Sequence, residues 1–367
     1  MEWGIAGHEW AVDLLREHVA QDRMRHAYLF TGSQGVGRRT LALRLAQALN
    51  CDQPPASGLP CLKCRSCEKI EHMTHPDLAI VEAERIGGTL KVDQVRELQR
   101  SLTLTPYEAR YRVAILLRFE EAHPSAANAL LKTLEEPPPK VILILTASSV
   151  EDLLPTVVSR CEVLRLRSLA LNEVSQWLED DWDIGSDEAG LLAHISGGIP
   201  GYALRLHKEP ELMEKRAVWL EDHQRLISSG RVDRFAYIAP LIFTKNPSKT
   251  RTELRDRFLI WISLWRDVLH KAIGTSAPIS NLDHAEVIAG LVEAFGEDNA
   301  RSMVSALQRT LILIDKNVNA RLAAEVLMLD LPYRKIDPPP RGRRIFKDKP
   351  VKLKFFDGKG VFCASRV

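Results

Sequence analysis

Three glycines and two arginines form the first group of residues in this chain that could do chemistry. Gly32, Gly35 and Gly37 stand between an apolar run and a helical pattern. In a strand, turn and helix of this kind, glycines let backbone N–H groups surround a phosphate, the next Lys reaches the outer phosphates, and the following Ser or Thr hydroxyl binds Mg²⁺. In this chain Arg38 and Arg39 occupy the Lys and the Ser/Thr positions.

The two arginines weaken this glycine loop as a nucleotide site. Arg38 could still contact a phosphate, but Arg39 has no oxygen for a metal ion, and Thr40 stands one residue late. We therefore expect a degenerate site in which binding of ATP and Mg²⁺ is doubtful. The alternative is an active ATPase in which Arg38 replaces the lysine and Thr40 shifts to the metal.

Two acidic residues follow a second apolar run and could belong to the same site. In ATPases the strand opposite the phosphate loop ends in an Asp that holds Mg²⁺ and then a Glu that orients the attacking water. Here Glu120 takes the first position with one extra methylene, and Glu121 takes the second. Acids after a strand are common, but beside the glycine loop they complete a degenerate nucleotide site.

Four cysteines form a compact set that could bind a metal ion. Cys51 is followed by Cys61, Cys64 and Cys67, which are spaced as two overlapping C-x-x-C steps. Such spacing suits tetrahedral thiolate binding of Zn²⁺, and a pair of redox cysteines is the alternative. Four protein ligands leave no open position for a catalytic water, so we expect a structural zinc site.

One further arginine, Arg160, stands in the short segment Ser159-Arg160-Cys161 after the last apolar run. An arginine in such a place is most often part of a structural salt bridge. Its residue type alone therefore does not make it a catalytic candidate.

The elements that position these residues are legible from apolar periodicity. A helical pattern covers residues 8–21, and apolar runs predict strands at 26–31, 78–81, 111–117 and 141–146. Strands that alternate with helices indicate an α/β fold with a parallel sheet covered on both faces. After residue 168 the pattern becomes helical, with short helices at 171–179 and 188–195 and nearly continuous helix from 211 to 331. Core positions expected in this last part are Trp219, Phe258, Trp261, Leu264, Trp265, Leu311 and Leu313.

Composition limits the location and the partners of the protein. A hydrophobic fraction of 45% and a charged fraction of 27% are ordinary for a soluble protein. No run approaches the ~20 apolar residues of a membrane span, and no signal sequence is evident, so we expect a cytoplasmic protein without membrane partners. After residue 338, nine Lys and Arg residues and two Asp residues give the tail a formal charge of +7. Such a tail could contact nucleic acid or an acidic partner, and the alternative is a solvated end.

Several motifs occur together in one order along residues 5–205. They are His26-Ala27-Tyr28-Leu29-Phe30, the degenerate glycine loop, the four cysteines, His75-Pro76-Asp77-Leu78, Glu121-Ala122-His123, Asn128-Ala129-Leu130-Leu131-Lys132-Thr133-Leu134-Glu135-Glu136-Pro137-Pro138 and Ser159-Arg160-Cys161. In this order they resemble the delta-prime subunits of the bacterial DNA polymerase III clamp loader, which are gamma/tau-like AAA+ proteins.

The resemblance implies a P-loop AAA+ parallel sheet with an inserted zinc module, a small helical lid and an all-α collar. The implied domains are a nucleotide-binding-like domain at 1–167 with the zinc module at about 51–67, a lid at 168–208, a collar for oligomerisation at 209–335, and the basic tail at 336–367. It further implies a five-subunit ring, part of a DNA-directed DNA polymerase complex, with gamma/tau and delta as partners. The ring uses ATP to place a sliding clamp on primed DNA.

The resemblance also gives Arg160 a role. In the family, the arginine of Ser-Arg-Cys reaches the ATP site of the neighbouring subunit and supplies positive charge to the transferring phosphoryl group. The changes at Arg38, Arg39 and Glu120 favour delta-prime, so we expect a subunit that is not an independent ATPase. The alternatives are a gamma/tau-type subunit that hydrolyses ATP and a zinc-dependent DNA-binding module.

Overall fold

The computed structural model describes residues 3–85, 87–242, 247–316 and 319–334. Side chains at 241–249 are outside this description, and so is the basic tail expected at 336–367. Within the described residues, an α/β part comes first and helices alone follow it.

The first part is built on one parallel sheet of five strands. The strands are β1 Ala27–Thr31, β2 Leu78–Val81, β3 Arg112–Leu116, β4 Val141–Ala147 and β5 Glu162–Arg165. Their order across the sheet is β2-β3-β4-β1-β5, and all neighbours are parallel. The four strands predicted from apolar runs are confirmed.

Strand β5 is absent from the sequence prediction. It has only four residues, of which Leu164 alone is buried, so no apolar run marks it. Pairing with β1 creates this strand, because Glu162 to Arg165 align with Tyr28 to Thr31. An edge strand of this kind depends on the existing sheet and not on a local pattern.

Helices cover both faces of the sheet. They are α1 Glu9–Ala20, α2 Arg38–Asn50, α3 Arg65–Glu71, α4 Val92–Leu102, α5 Pro124–Glu135 and α6 Pro155–Val158. Strand β1 shows how the two faces are filled, because Tyr28 and Phe30 join the core formed with α1 and α2, while Leu29 joins the core formed with α4 and α5. Alternate side chains of a strand point to opposite faces, and both are buried here.

Strand order decides which loops meet. The carboxyl ends of parallel strands lie at one edge of a sheet, where open α/β folds bind their ligands. Because β4 lies between β1 and β3, the glycine loop after β1 and the acidic turn after β3 both flank the end of β4.

Three short helices come next: α7 Leu171–Trp182, α8 Ser186–Ser196 and α9 Pro200–Lys208. We call them the three-helix unit, and they share a small apolar core of their own. The Leu169 N–H donates to the Gly198 carbonyl over 2.8 Å, which ties the entry of the unit to the turn before α9.

The remaining helices enclose a fourth core. They are α10 Pro210–Ile227, α11 Arg231–Ile242, α12 Pro247–Ala272, α13 Ala285–Asp315 and α14 Ala320–Asp330. Phe258, Trp261 and Trp265 are fully buried in this core, so the aromatic stripe serves packing, as expected. The Trp265 indole N–H donates to His223 Nε2 over 2.9 Å, and burial lowers the pKa of His223 to about 3.

The prediction that Leu313 belongs to this core is wrong. Its side chain is 40% exposed, whereas Ile314, the next residue of α13, is fully buried. Successive helical residues are about 100° apart around the axis, and only one side of α13 meets the core. Trp219 and Leu311 are half-buried.

No helix within the described ranges has the length and apolar character that crossing a bilayer requires.

Candidate functional site

The glycine loop joins β1 to α2 and keeps the backbone of a phosphate-binding turn. Gly32, Gly35 and Gly37 have φ values of 146°, 88° and 110°, which side-chain-bearing residues rarely adopt. A Cβ on Gly32 would lie 2.3 Å from the Leu166 carbonyl oxygen. The chain leaving β5 therefore passes so close that only glycine fits at the start of the loop.

The two arginines of the loop point to different places. Arg38, the first residue of α2, is buried, and its Nη1 has no hydrogen-bond partner among the described residues. Burial lowers the pKa of Arg38, an effect that the charge of Glu120 opposes and that of Arg118 reinforces. Arg39 is exposed, and its Nη2 donates to the Met73 sulfur over 2.6 Å.

Thr40 does not replace the missing metal ligand. It is exposed on α2 and lies one residue, about 100° of helix rotation, beyond the position from which a hydroxyl reaches Mg²⁺. The loop thus has the backbone for a phosphate but not the side chains for its metal.

Both acids of the turn after β3 make internal contacts, but Glu120 Oε2 has no hydrogen-bond partner among the described residues. Glu120 Oε1 accepts hydrogen bonds from the Ser148 N–H over 3.2 Å and the Ser148 hydroxyl over 2.6 Å. Glu121 accepts from the Gly87 N–H over 2.8 Å and pairs with Arg118 Nε at 3.1 Å. Because Glu121 is already paired with a cation, it is poorly placed to orient an attacking water.

Ser148 and Arg118 are site residues that sequence reasoning missed. Ser148 follows β4 directly, and Arg118 stands two residues after β3. Their positions just beyond strand ends were the available signal, because residues there converge on one edge of a parallel sheet.

The three-helix unit contacts the glycine loop backbone to backbone. The Gly201 N–H donates to the Gly35 carbonyl over 2.9 Å. A Cβ on Gly201 would lie 2.6 Å from the Gly35 oxygen, and one on Gly35 would lie 3.0 Å from Ile199 Cγ2. Glycine is therefore needed at both positions for the two backbones to come this close. The contact closes the space between α9 and the outer side of the loop.

Gly201→Ala is expected to lower the thermal stability of the isolated protein. Alanine favours a helix by up to ~1 kcal/mol over glycine, but overpacking at a rigid backbone contact costs about 1–3 kcal/mol. We expect a fall in Tm of roughly 2–6 °C by calorimetry. The matched control is Gly190→Ala in α8, where a Cβ meets no atom within 4 Å and Tm should rise or stay unchanged. Equal changes in the two variants would contradict a close contact at Gly201.

Arg160 lies at the surface between α6 and β5, with its side chain 34% exposed. Its Nη2 pairs with Glu135 Oε1 at 2.6 Å. Its Nη1 donates to the Thr156 carbonyl over 2.8 Å. A guanidinium has more N–H donors than these acceptors use, so it can bind a further anion.

The four cysteines predicted as metal ligands come together in the structure. Their sulfur atoms all lie within 4.8 Å of one another, with 4.0 Å between Cys51 and Cys64 and 3.9 Å between Cys61 and Cys67. A tetrahedral site with Zn–S bonds of about 2.3 Å requires sulfurs roughly 3.8 Å apart. The cluster could therefore hold a metal ion, and its geometry is consistent with Zn²⁺.

Local backbone structure supports the cluster. The Cys61, Cys64 and Cys67 N–H groups donate to the sulfurs of Cys51, Cys61 and Cys64 over 3.2 to 3.4 Å, as expected around thiolates. Burial raises the pKa of the Cys67 thiol, so a cation is needed to keep this sulfur ionised. Cys161 is a free thiol outside the cluster, and burial raises its pKa to about 12.

Side-chain contacts attach the cluster to the sheet. Gln47 Nε2 donates to the Cys67 carbonyl over 2.8 Å, and Arg110 Nη2 donates to the Cys51 carbonyl over 2.9 Å. These bonds place the cysteine segment at the end of α2, away from the loop at its beginning. The cluster therefore lies where it can hold this segment against α2, apart from the glycine loop.

The fold and the site together define a class of protein. A parallel sheet in which one strand separates a glycine loop from an acidic turn, followed by a small helical unit that touches the loop, is typical of AAA+ nucleotide-binding domains. In this chain Arg38 and Arg39 stand where such loops carry Lys and Ser or Thr.

Comparison with known proteins identifies the family. The family described as DNA polymerase III, delta subunit, matches residues 7–170. The delta-prime subunit of DNA polymerase III from Pseudomonas aeruginosa is 32% identical over 328 residues, which cover 87% of this chain and 95% of that protein. The delta-prime subunit from Bacillus subtilis is 29% identical over 87% of this chain and 94% of its own length. The chain therefore belongs to the delta-prime family of DNA polymerase III clamp loader subunits.

Other matches lie in the same group of proteins. Gamma and tau subunits of DNA polymerase III also match. Among solved structures, a gamma-subunit-related protein from Thermotoga maritima aligns at 19% identity with a TM-score of 0.44, over 88% of this chain and 97% of that one.

Proposed function

We propose that this clamp loader subunit does not hydrolyse ATP and that it supplies Arg160 to the ATP site of a neighbouring subunit during sliding-clamp loading. The observation that carries the proposal is a contrast within one chain. Arg39 replaces the hydroxyl that would bind a metal at the loop, and Glu121 is paired with Arg118, whereas Arg160 presents a partly exposed guanidinium with spare N–H donors at the surface.

The chain's own site lacks two of the expected functions and carries a substitution at a third position. Arg39 contacts Met73 where a hydroxyl would bind Mg²⁺. Glu121 is paired with Arg118 where a carboxylate would orient water. Arg38 stands where a lysine would reach the outer phosphates, and its side chain is buried. Phosphoryl transfer depends on positioning and on metal-assisted charge stabilisation, so the loss of these groups removes most of the catalytic power.

A trans role suits the position of Arg160. An arginine that completes a neighbour's site must lie at the surface of its own subunit and must keep N–H donors for phosphate oxygens. Arg160 meets both conditions. The planar guanidinium can contact two phosphate oxygens at once, which a lysine ammonium cannot do.

The remaining parts of the proposal concern assembly. We assign the three-helix unit to a lid and α10–α14 to a collar that joins the subunit to gamma/tau and delta in the ring, and we assign structural Zn²⁺ to the cysteine cluster. The sliding clamp and primed DNA are then partners of the assembled ring. The three-helix unit and α10–α14 each have an apolar core separate from the two cores on the faces of the sheet, which supports this division.

The isolated chain is expected to hydrolyse ATP very slowly or not at all. Both loop positions that normally carry Lys and Ser/Thr are arginines, and Glu121 is neutralised by Arg118. A phosphate-release assay with Mg²⁺ and ATP should give no turnover above background, and nucleotide affinity should be weak. Steady turnover near ~1 s⁻¹, the low end for ordinary enzymes, that is abolished by Arg38→Ala would establish the gamma/tau-type alternative instead.

The third reading, a zinc-dependent DNA-binding module, makes a separate prediction. It requires that chelation of the metal abolishes DNA affinity of the isolated chain. A structural site requires only that chelation loosens the segment around the cysteines. The attachment of that segment through Gln47 and Arg110 favours the structural role.

A further inference from the structure

The residue that holds Arg160 stands at the end of α5, far from Arg160 in sequence. Glu135 is the last residue of α5, and α5 begins at Pro124, immediately after the acidic turn and its capping residue His123. One helix thus runs from the degenerate nucleotide site to the proposed trans arginine. Its last carboxylate makes the ion pair with Arg160 at 2.6 Å.

The contact restricts the guanidinium on two sides. Glu135 binds Nη2, and the Thr156 carbonyl binds Nη1. Two acceptors on different nitrogens fix both the position and the plane of the group. A free arginine side chain has many rotamers, and ordering it when phosphate binds would cost up to ~2 kcal/mol.

This ion pair is poorly suited to stabilise the fold. The two side chains are 34% and 50% exposed, and exposed pairs contribute little to folding because water and salt screen them. Orientation of the guanidinium is the effect that remains. Glu136, the next residue, is also exposed, but its carboxylate is not part of the Arg160 pair.

We propose that Glu135 is a positioning residue that holds the Arg160 guanidinium ready for the phosphate of the neighbouring subunit. This inference rests on the proposed trans role of Arg160. Glu135 touches no nucleotide and acts through Arg160 alone. Its removal should therefore change the rate of the reaction that Arg160 serves and leave the folding of the subunit unchanged.

The test is a double-mutant cycle in the reconstituted clamp loader. Glu135→Ala, Arg160→Ala, the double variant and the control Glu136→Ala are each built into the full ring, and DNA-stimulated ATP hydrolysis is measured. Glu135→Ala should lower kcat by roughly two- to fivefold, the scale of an exposed ion pair, with KM for ATP unchanged. Glu136→Ala should match the unmodified ring, and Glu135→Gln, whose amide oxygen can still accept from Arg160, should recover part of the rate.

The double variant decides the mechanism. Residues that act through one another are non-additive, so Glu135→Ala should cause no further loss once Arg160 is alanine. An equal loss in both backgrounds would overturn the inference, because Glu135 would then act elsewhere. If ATP hydrolysis falls with Arg160→Ala but not with Glu135→Ala, the inference about Glu135 is also overturned, and the trans role of Arg160 stands. If ATP hydrolysis does not fall with Arg160→Ala, the trans role itself is contradicted.

Discussion

A clamp loader assembled with Arg160→Ala in this subunit is expected to form a complete ring and to load clamps far more slowly than the unmodified ring. In well-studied phosphoryl-transfer systems, loss of an arginine finger costs ~10³-fold or more at the affected site. A ring has several ATP sites and only one would lose its finger, so total DNA-stimulated ATP hydrolysis should fall in part. Clamp loading should fall further, because it depends on coordinated sites.

Two variants control this experiment. Arg160→Lys keeps the charge but loses the planar two-point contact, so it should restore the rates only in part. Arg205→Ala on α9 removes an exposed arginine that pairs with Glu209 at 3.2 Å, and the rates should not change. If rings with Arg160→Ala hydrolyse ATP and load clamps at the unmodified rate, Arg160 has no trans role. If the variant fails to fold, the role of Arg160 is structural, through its salt bridge with Glu135.

The purified protein is expected to contain one Zn²⁺ per chain, and Cys64→Ser is expected to release it. Cys64 both offers its sulfur to the cluster and caps the start of α3, where that sulfur accepts from the Cys67 N–H. Metal binding is coupled to the folding of its ligand segment, so amide exchange should become faster in residues 51–67. The sheet should stay folded, because the segment contributes only the half-buried Leu59 to the two cores that lie on either side of β1.

Cys161→Ser is the matched control for the metal measurement. Cys161 is the described cysteine that lies outside the cluster, so this variant should keep its full metal content. Elemental analysis of protein prepared without chelator or oxidant checks both variants. An unmodified protein without metal would contradict the zinc assignment, and equal loss of metal in both variants would show that the loss is not specific to the cluster.

The strands and the metal ligands could be predicted because their signals are local. Apolar runs mark β1 to β4, since a strand buried on both faces has apolar residues at every position. The four cysteines lie within seventeen residues, so their spacing alone brings them close enough to share an ion. The exchange of Lys and Ser/Thr for Arg38 and Arg39 could likewise be read from the residue types.

Strand β5 and the exposure of Leu313 were not predicted because the local pattern at these positions carries no information. Strand β5 has charged residues at both ends and exists through its pairing with β1. Leu313 has the residue type and the helical spacing of a core residue, yet its side chain is 40% exposed on α13. Pairing partners and helix faces are properties of the assembled molecule.

The state of the candidate site was decided by tertiary structure. Strand order brings Ser148 to Glu120, and packing of α9 brings Gly201 to Gly35. The end of α5 reaches Arg160 through Glu135. Each of these contacts joins residues at least 25 positions apart, so the local spacing of residues predicts none of them. The sequence by itself determined which chemical groups the protein has and lacks, whereas the folded chain decided which of them lie together and which are paired internally.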